Sequence, residues 1–151
     1  MGHACEPVVA DLSVAMELFD SALIDSQVGV PEGHYEEEQM KQTVVPNRNA
    51  IFSSILYGYA LSVSTKEDID VSVTLGVHSG DHAIYPDCRP EFYDALMHAF
   101  ETGSWGSERV TVELPYIDGD KESILRDAMN SCDSLELDFD TIFRNTNTSY
   151  N

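Results

Sequence analysis

Residues 76–92, GVHSGDHAIYPDCRPEF, crowd His78, His82, Asp81, Asp87, Glu91, Cys88 and Arg89 into one short stretch. Asp81 and Asp87 are able to hold Mg²⁺ or accept protons, and the histidines can donate, accept or ligate. Each also has a plainer use. Loop aspartates behind a strand form turns and cap helices, and Cys88 fits a packed thiol, since no partner activates it as a nucleophile. The H-x-x-x-H spacing of His78 and His82 lies on a strand-to-loop segment, where it does not aim both rings at one ion. No metal site is assigned there. Arg48 follows Pro46 and Asn47 at a helix start, where the helix dipole disfavours a cation. Either an anionic ligand or a salt bridge to the abundant carboxylates accounts for it.

Elements must deliver these residues to one place. Strands are predicted near 8–13, 69–77 and 109–117, the second from the alternation of Ile69, Val71, Val73, Leu75 and Val77. A short helix is expected over 14–23, capped by Ser13. Residues 24–43, punctuated by Gly29, Pro31 and Gly33, read as one long loop, either a functional lid or a solvated excursion. After Pro46 the chain turns helical, with Ile51, Ile55, Tyr59, Phe52, Leu56 and Val63 as its apolar stripe. Ser53, Ser54, Gly58, Ala60 and Ser62 are small, so this helix can pack closely on more than one side. Pro90 suits a first helical position, and Phe92, Ala95, Leu96, Ala99 and Phe100 mark the face that follows. A further helix within 118–132 would bury Leu125, Ala128, Met129 and Cys132. A short helical turn and a loop close the chain.

Strands alternating with helices argue for α/β with a parallel sheet, in which ligands sit beyond the carboxyl ends of the strands. Residues 76–89 hold that position, and Gly76, like Gly80, permits a close backbone approach.

The chain of 151 residues suits one domain, and 27 acids against eight Lys and Arg give a net charge of −19. That field repels phosphate backbones and anionic lipid, so neither direct nucleic-acid binding nor membrane binding is expected. No apolar run approaches the ~20 residues of a membrane span. Residues 1–9 have no basic stretch of the signal-peptide kind, and a cytoplasmic location is the default. Cys5, Cys88 and Cys132 are odd in number and widely spaced, which argues against a disulfide framework.

Together, VPNRNAIF (45–52) and GVHSGDHAIYPDCRPEF resemble the 7-cyano-7-deazaguanine synthase family of queuosine biosynthesis. DSALIDSQVGVP, ELPYIDGDK and the closing NTNTSYN fall in the order of that family. The resemblance runs from about Val9 to the last residue and is most specific at P-N-R-N and Y-P-D-C. It implies an adenine-nucleotide α-hydrolase-like parallel sheet with helices on both faces, here incomplete, and a reaction that makes a nitrile from 7-carboxy-7-deazaguanine, ammonia and ATP with Mg. Adenylation gives the carboxylate a leaving group, amidation follows, and a second activation dehydrates the amide. The resemblance further implies that Arg48 and Asn49 lie near the nucleotide or the substrate carboxylate. Gly76, His78 and Asp81 would lie near the nucleotide, and Tyr85, Asp87, Cys88 and Arg89 would line the deazapurine pocket. Lys121 would face the phosphates. Asp81, Asp87 and Lys121 are the candidate catalytic groups.

Two departures qualify this. No S-G-G-x-D-S phosphate loop occurs in residues 1–20, and Ser149 stands where the family's first zinc-ligating cysteine is expected. In the family's strand order 3-2-1-4-5, strands one and two would be missing between PVVADLS and DVSVTLGV. The expectation is a partial synthase domain over 1–151, without the family zinc, whose sheet is completed by a second polypeptide or by self-association. The alternative is a non-catalytic module that binds the deazapurine or docks on a partner. A third, weaker reading is a metal-dependent hydrolase built on His78, Asp81 and His82.

Overall fold

The computed structural model describes residues 7–24, 38–81 and 85–146. Its longest element is α2, Arg48–Glu67, entered through Asn47 in the left-handed region at φ 56°. It ends at Asp68, also left-handed at φ 55°, and there the Ser64 hydroxyl donates to the Ile69 carbonyl at 2.6 Å. Asn and Asp tolerate this conformation better than other residues with a Cβ.

Two strands pair in parallel: β1, Val71–Thr74, and β2, Val110–Glu113, in register from Val71↔Val110 to Thr74↔Glu113. The connection between them contains α3, Pro90–Gly103. Side chains alternate across the pair. Val73 and Val110 are buried with Tyr57 and Ala60 of α2, and Leu56, Leu61, Val71, Phe100 and Val112 pack around them. The opposite face presents Ser72, Thr74, Thr111 and Glu113, all exposed, with Ser72 Oγ donating to Glu113 Oε1 at 2.9 Å. The described helices that meet this core, α2 and α3, lie on the apolar face. In parallel pairs the backbone groups of successive residues alternate between the two edges. Since the Leu75 N–H donates to the Glu113 carbonyl at 3.0 Å, Thr111 and Glu113 face β1. The N–H and C=O groups of Val112, and those of Ser72 and Thr74, therefore point to the outer edges.

The buried face of α2 differs from its expected stripe. Ser53, Tyr57, Ala60 and Ser64 are buried, whereas Phe52, Ile55 and Tyr59 are 46%, 40% and 51% exposed. Small side chains let the helix settle close to the strands. Tyr57 fills the gap that remains, stacking on Phe100 of α3 with centroids 4.7 Å apart. In α3 the buried centre is Tyr93 rather than the Ala95 and Ala99 of the expected face.

Residues 8–13, predicted as a strand, do not form one. Residues 7–12 have no ladder partner, and Val8 and Val9 stay exposed. Pairing with a neighbour is what holds a strand. The helix expected over 14–23 shrinks to α1, Ser13–Met16, because Val14 and Leu18 remain exposed with nothing to cover them. Asp11 does the capping instead of Ser13, accepting from the Ser13 N–H at 2.9 Å.

α4, Lys121–Ser134, starts from a reciprocal capping box: Ser123 N–H donates to Asp120 Oδ1 at 2.8 Å and Asp120 N–H to Ser123 Oγ at 2.9 Å. Its inward face is Ile124, Ala128 and Cys132; of the expected stripe Ala128 and Cys132 turn inward, whereas Leu125 and Met129 are exposed. α5, Phe139–Phe143, is the expected short turn, with its two phenylalanine rings stacked at 4.2 Å. Of the long loop at 24–43, the last part, Glu38–Thr43, forms a 3-10 turn, and most of the remainder lies outside the described residues.

Candidate functional site

A helix N-terminus leaves backbone N–H groups without intrahelical acceptors. At the start of α2, Asn47 makes no side-chain cap bond. The acceptor arrives from 38 residues away: Asp87 Oδ2 accepts from the Asn49 N–H at 3.3 Å. Asn49 Nδ2 returns the contact, donating to the Asp87 carbonyl at 3.2 Å and lying 3.8 Å from Cys88 Sγ. The P-N-R-N and Y-P-D-C stretches are thereby joined into one surface.

Tyr85 anchors that surface. It is buried, and its hydroxyl shares a 2.6 Å hydrogen bond with the buried Thr43 Oγ1. Val44 and Cys88 pack against it. The Arg48 guanidinium lies over its ring, 5.7 Å from the centroid. Among the described residues Arg48 forms no ion pair, although the chain carries 27 acids. Both accounts of this arginine, an anionic ligand and a salt bridge, therefore stay open, with no salt bridge found among the described residues.

Beneath lies Tyr93, 1% exposed, with a hydroxyl that has no hydrogen-bond partner among the described residues. Burial first, and then the negative charge of Cys88 and Asp87, push its phenol up to about 12. Asp87 Oδ1 is also buried without a described partner. Neither Tyr93 nor Thr43 was a sequence candidate. The available signal was Tyr93's position, one turn into the helix behind Y-P-D-C, with a polar tip on an apolar face.

The remaining candidates gather at the carboxyl ends of the strands. The segment 75–81 leaves β1 and lies against the segment leaving β2, with Ser79 N–H donating to the Ile117 carbonyl at 3.0 Å. A Cβ on Gly80 would fall 2.9 Å from His78 Nδ1, so a side chain there would displace the imidazole, while the Asp120 Cα at 3.8 Å is in ordinary contact. Gly76 has open space around it, which removes the steric reason expected for it. Asp81 closes the turn Ser79–Asp81, and Lys121 is the exposed first residue of α4, beside Asp120. Arg89 is exposed at the entry of α3. Asp81 and Tyr85 are joined by three residues, so the two groups lie within ~14 Å of each other at full extension of that link.

Four of the eight cations, Lys41, Arg48, Arg89 and Lys121, thus flank this end of the molecule, Lys41 two residues before Thr43. Lys66, Arg109 and Arg126 pair with acids elsewhere. The arrangement suits an anion held beside a flat ring: guanidinium, aromatic face, amide and carboxylate converge.

Among the described residues no group of three or more His, Cys, Asp and Glu is placed to hold a metal ion. His82, Ser149 and the Asp81 side chain lie outside the described residues. Among those described, no helix is long and apolar enough to cross a membrane.

Comparison with known proteins gives a consistent answer. The family model described as queuosine biosynthesis protein QueC matches residues 3–151. A 7-cyano-7-deazaguanine synthase of Alteromonas mediterranea is 44% identical over 131 residues, covering 87% of this chain and 55% of the relative. One from Colwellia psychrerythraea is 41% identical over 143 residues, covering 95% and 59%, and one from Caldicellulosiruptor saccharolyticus is 43% identical over 118, covering 78% and 49%. The chain spans about half the length of the curated relatives it matches. No solved structure matches.

Proposed function

Because the chain belongs to the queuosine biosynthesis protein QueC family, we propose that it forms the substrate-side half of a 7-cyano-7-deazaguanine synthase. Such a ligase turns 7-carboxy-7-deazaguanine and ammonia into the nitrile, in the cytoplasm. The observation that carries the reading is Arg48, without a described ion pair and spread over Tyr85 where P-N-R-N meets Y-P-D-C. A substrate carboxylate would pair with its guanidinium. Tyr85, Asp87, Cys88 and Arg89 would line the heterocycle, held in place by Asn49. Gly76, His78 and Asp81 would lie along the nucleotide, with Lys121 toward its phosphates. ATP, with Mg, would supply the leaving group that a carboxylate lacks. The side chains supply position and charge.

The strand that carries the family's phosphate loop, or a strand from self-association, would complete the sheet. The supporting surface is the outer edge of β1. A cleft of about 340 Å³ follows the consecutive residues Val71–Thr74 and is walled by Leu56, Tyr59, Ala60 and Val63. A neighbouring one of about 390 Å³ runs between Val8, Ala10 and Leu12 and the exposed stripe of α2. Unpaired backbone groups beside an apolar wall are what an incoming strand requires.

The same surface favours a second reading, a docking module that binds the deazapurine without turnover. Titration calorimetry with 7-carboxy-7-deazaguanine, with and without a polypeptide bearing S-G-G-x-D-S, separates the two. The synthase reading expects heterocycle binding by this chain and ATP consumption only with the added polypeptide; the module reading expects binding alone. Arg48→Ala should weaken heterocycle binding about tenfold to a hundredfold, the range of a charged hydrogen bond, with partial rescue by Arg48→Lys. Unchanged affinity in Arg48→Ala would refute the assignment.

A further inference from the structure

A second cleft, of about 550 Å³, runs along β2 on the side away from β1, and nothing in the proposed reaction uses it. It is lined by Val110, Thr111 and Val112 in succession. Side chains alternate across a strand, so three consecutive residues can share one cleft only along the strand's edge. The inner edge is bonded to β1, which leaves the outer one. There the Val112 N–H and C=O have no partner among the described residues.

The wall opposite this edge is acidic. Glu101 of α3 and Glu108 of the turn Ser107–Arg109 both line the cleft, both are exposed, and neither has a cationic partner among the described residues. Tyr57, 4% exposed, lines it too, and its hydroxyl lacks a hydrogen-bond partner among the described residues. Burial and then the charges of Glu101 and Glu108 raise the Tyr57 phenol above its ordinary value, so it stays protonated, with oxygen lone pairs free to accept.

From an open strand edge, two unpaired carboxylates and a buried hydroxyl in one cleft, we infer that the outer edge of β2 docks a basic extended segment of a partner protein. The segment adds as a strand, its backbone meeting Val112 and an arginine or lysine reaching Glu101 and Glu108. A second copy of this chain is a poor occupant, since each carries a net charge of −19. Phosphate-bearing ligands meet two carboxylates of their own sign.

The probe is a dye-labelled, acetylated hexapeptide of alternating valine and arginine, titrated against the full chain by fluorescence anisotropy. One-to-one saturable binding is expected, weakened about tenfold by the pair Glu101→Gln and Glu108→Gln and by N-methylation of alternate peptide amides. The pair Asp133→Asn and Asp140→Asn removes the same charge from α4 and α5 and should leave affinity within twofold (about) of the parent. Circular dichroism checks that the variants keep their fold. Absence of binding, equal loss in the two pairs of variants, or indifference to N-methylation would overturn the inference. So would a dimer, seen by sedimentation, that the peptide dissolves, because that would give the edge to a second copy.

Discussion

Replacing Tyr93 by phenylalanine should make this protein more resistant to alkali, and no less stable at neutral pH. The hydroxyl is buried and without a described partner, so the native state loses its hydration without a described replacement. Removing it leaves the ring, and hence the packing, in place. The cost of a buried unsatisfied hydroxyl is about 1–3 kcal/mol, so Tyr93→Phe should be neutral or stabilising by up to about that amount at pH 7. The pH dependence is sharper. The phenol ionises at about 12 in the folded chain against an ordinary 10.0. Between these values the unfolded chain has released a proton that the folded chain retains, so stability falls as pH rises from 10 toward 12. Two pK units correspond to about 2.7 kcal/mol at the upper end. Urea denaturation at pH 9, 10, 11 and 12 on both proteins would measure it, taking the difference between them so that the other tyrosines cancel. The parent should lose roughly 2–3 kcal/mol more than Tyr93→Phe across that range. Parallel pH curves, or a variant destabilised by more than about 1 kcal/mol at pH 7, would refute the placement of this hydroxyl in a dry, negatively charged setting.

Asn49→Ala should cost about 1–2 kcal/mol in denaturant unfolding, because it removes the amide that holds the Asp87 carbonyl, and should weaken 7-carboxy-7-deazaguanine binding as well. Loss of stability with full heterocycle affinity would limit Asn49 to a structural role. Gly80→Ala should shift the His78 imidazole NMR resonances, since the new methyl meets the ring at 2.9 Å, while Gly76→Ala should leave them where they are. Equal shifts in both would contradict the tight turn at Gly80.

The helices behind Pro46 and Pro90 are legible because each starts at a residue that fixes the backbone and continues in a 3.6-residue rhythm. Rhythm alone misplaces faces. Phe52, Ile55 and Tyr59 are the larger apolar side chains, but Ser53 and Ala60 allow the closer approach and take the buried side of α2. In α4 the stripe narrows to Ala128 and Cys132 with Ile124, and Leu125 and Met129 are left outside it. Residues 8–13 read as a short strand, yet a strand exists only with a neighbour, and none is found for them among the described residues. The two motif stretches were readable separately; that Asp87 supplies the missing cap of α2 depends on a contact across 38 residues and on no local pattern. Arg48 is the instructive case, since its chemistry admits two readings, and its place over the Tyr85 ring belonged to neither.

α2 has one further property. Twenty residues make a rod of about 30 Å with no proline or break within it. Its tip carries the Arg48 guanidinium and the Asn49 amide that the proposed function sets against the heterocycle, and its flank carries the apolar stripe beside the open edge of β1. Both therefore ride on one lever. With no proline or break between flank and tip, a partner seated at the sheet edge is expected to change heterocycle affinity through this one helix.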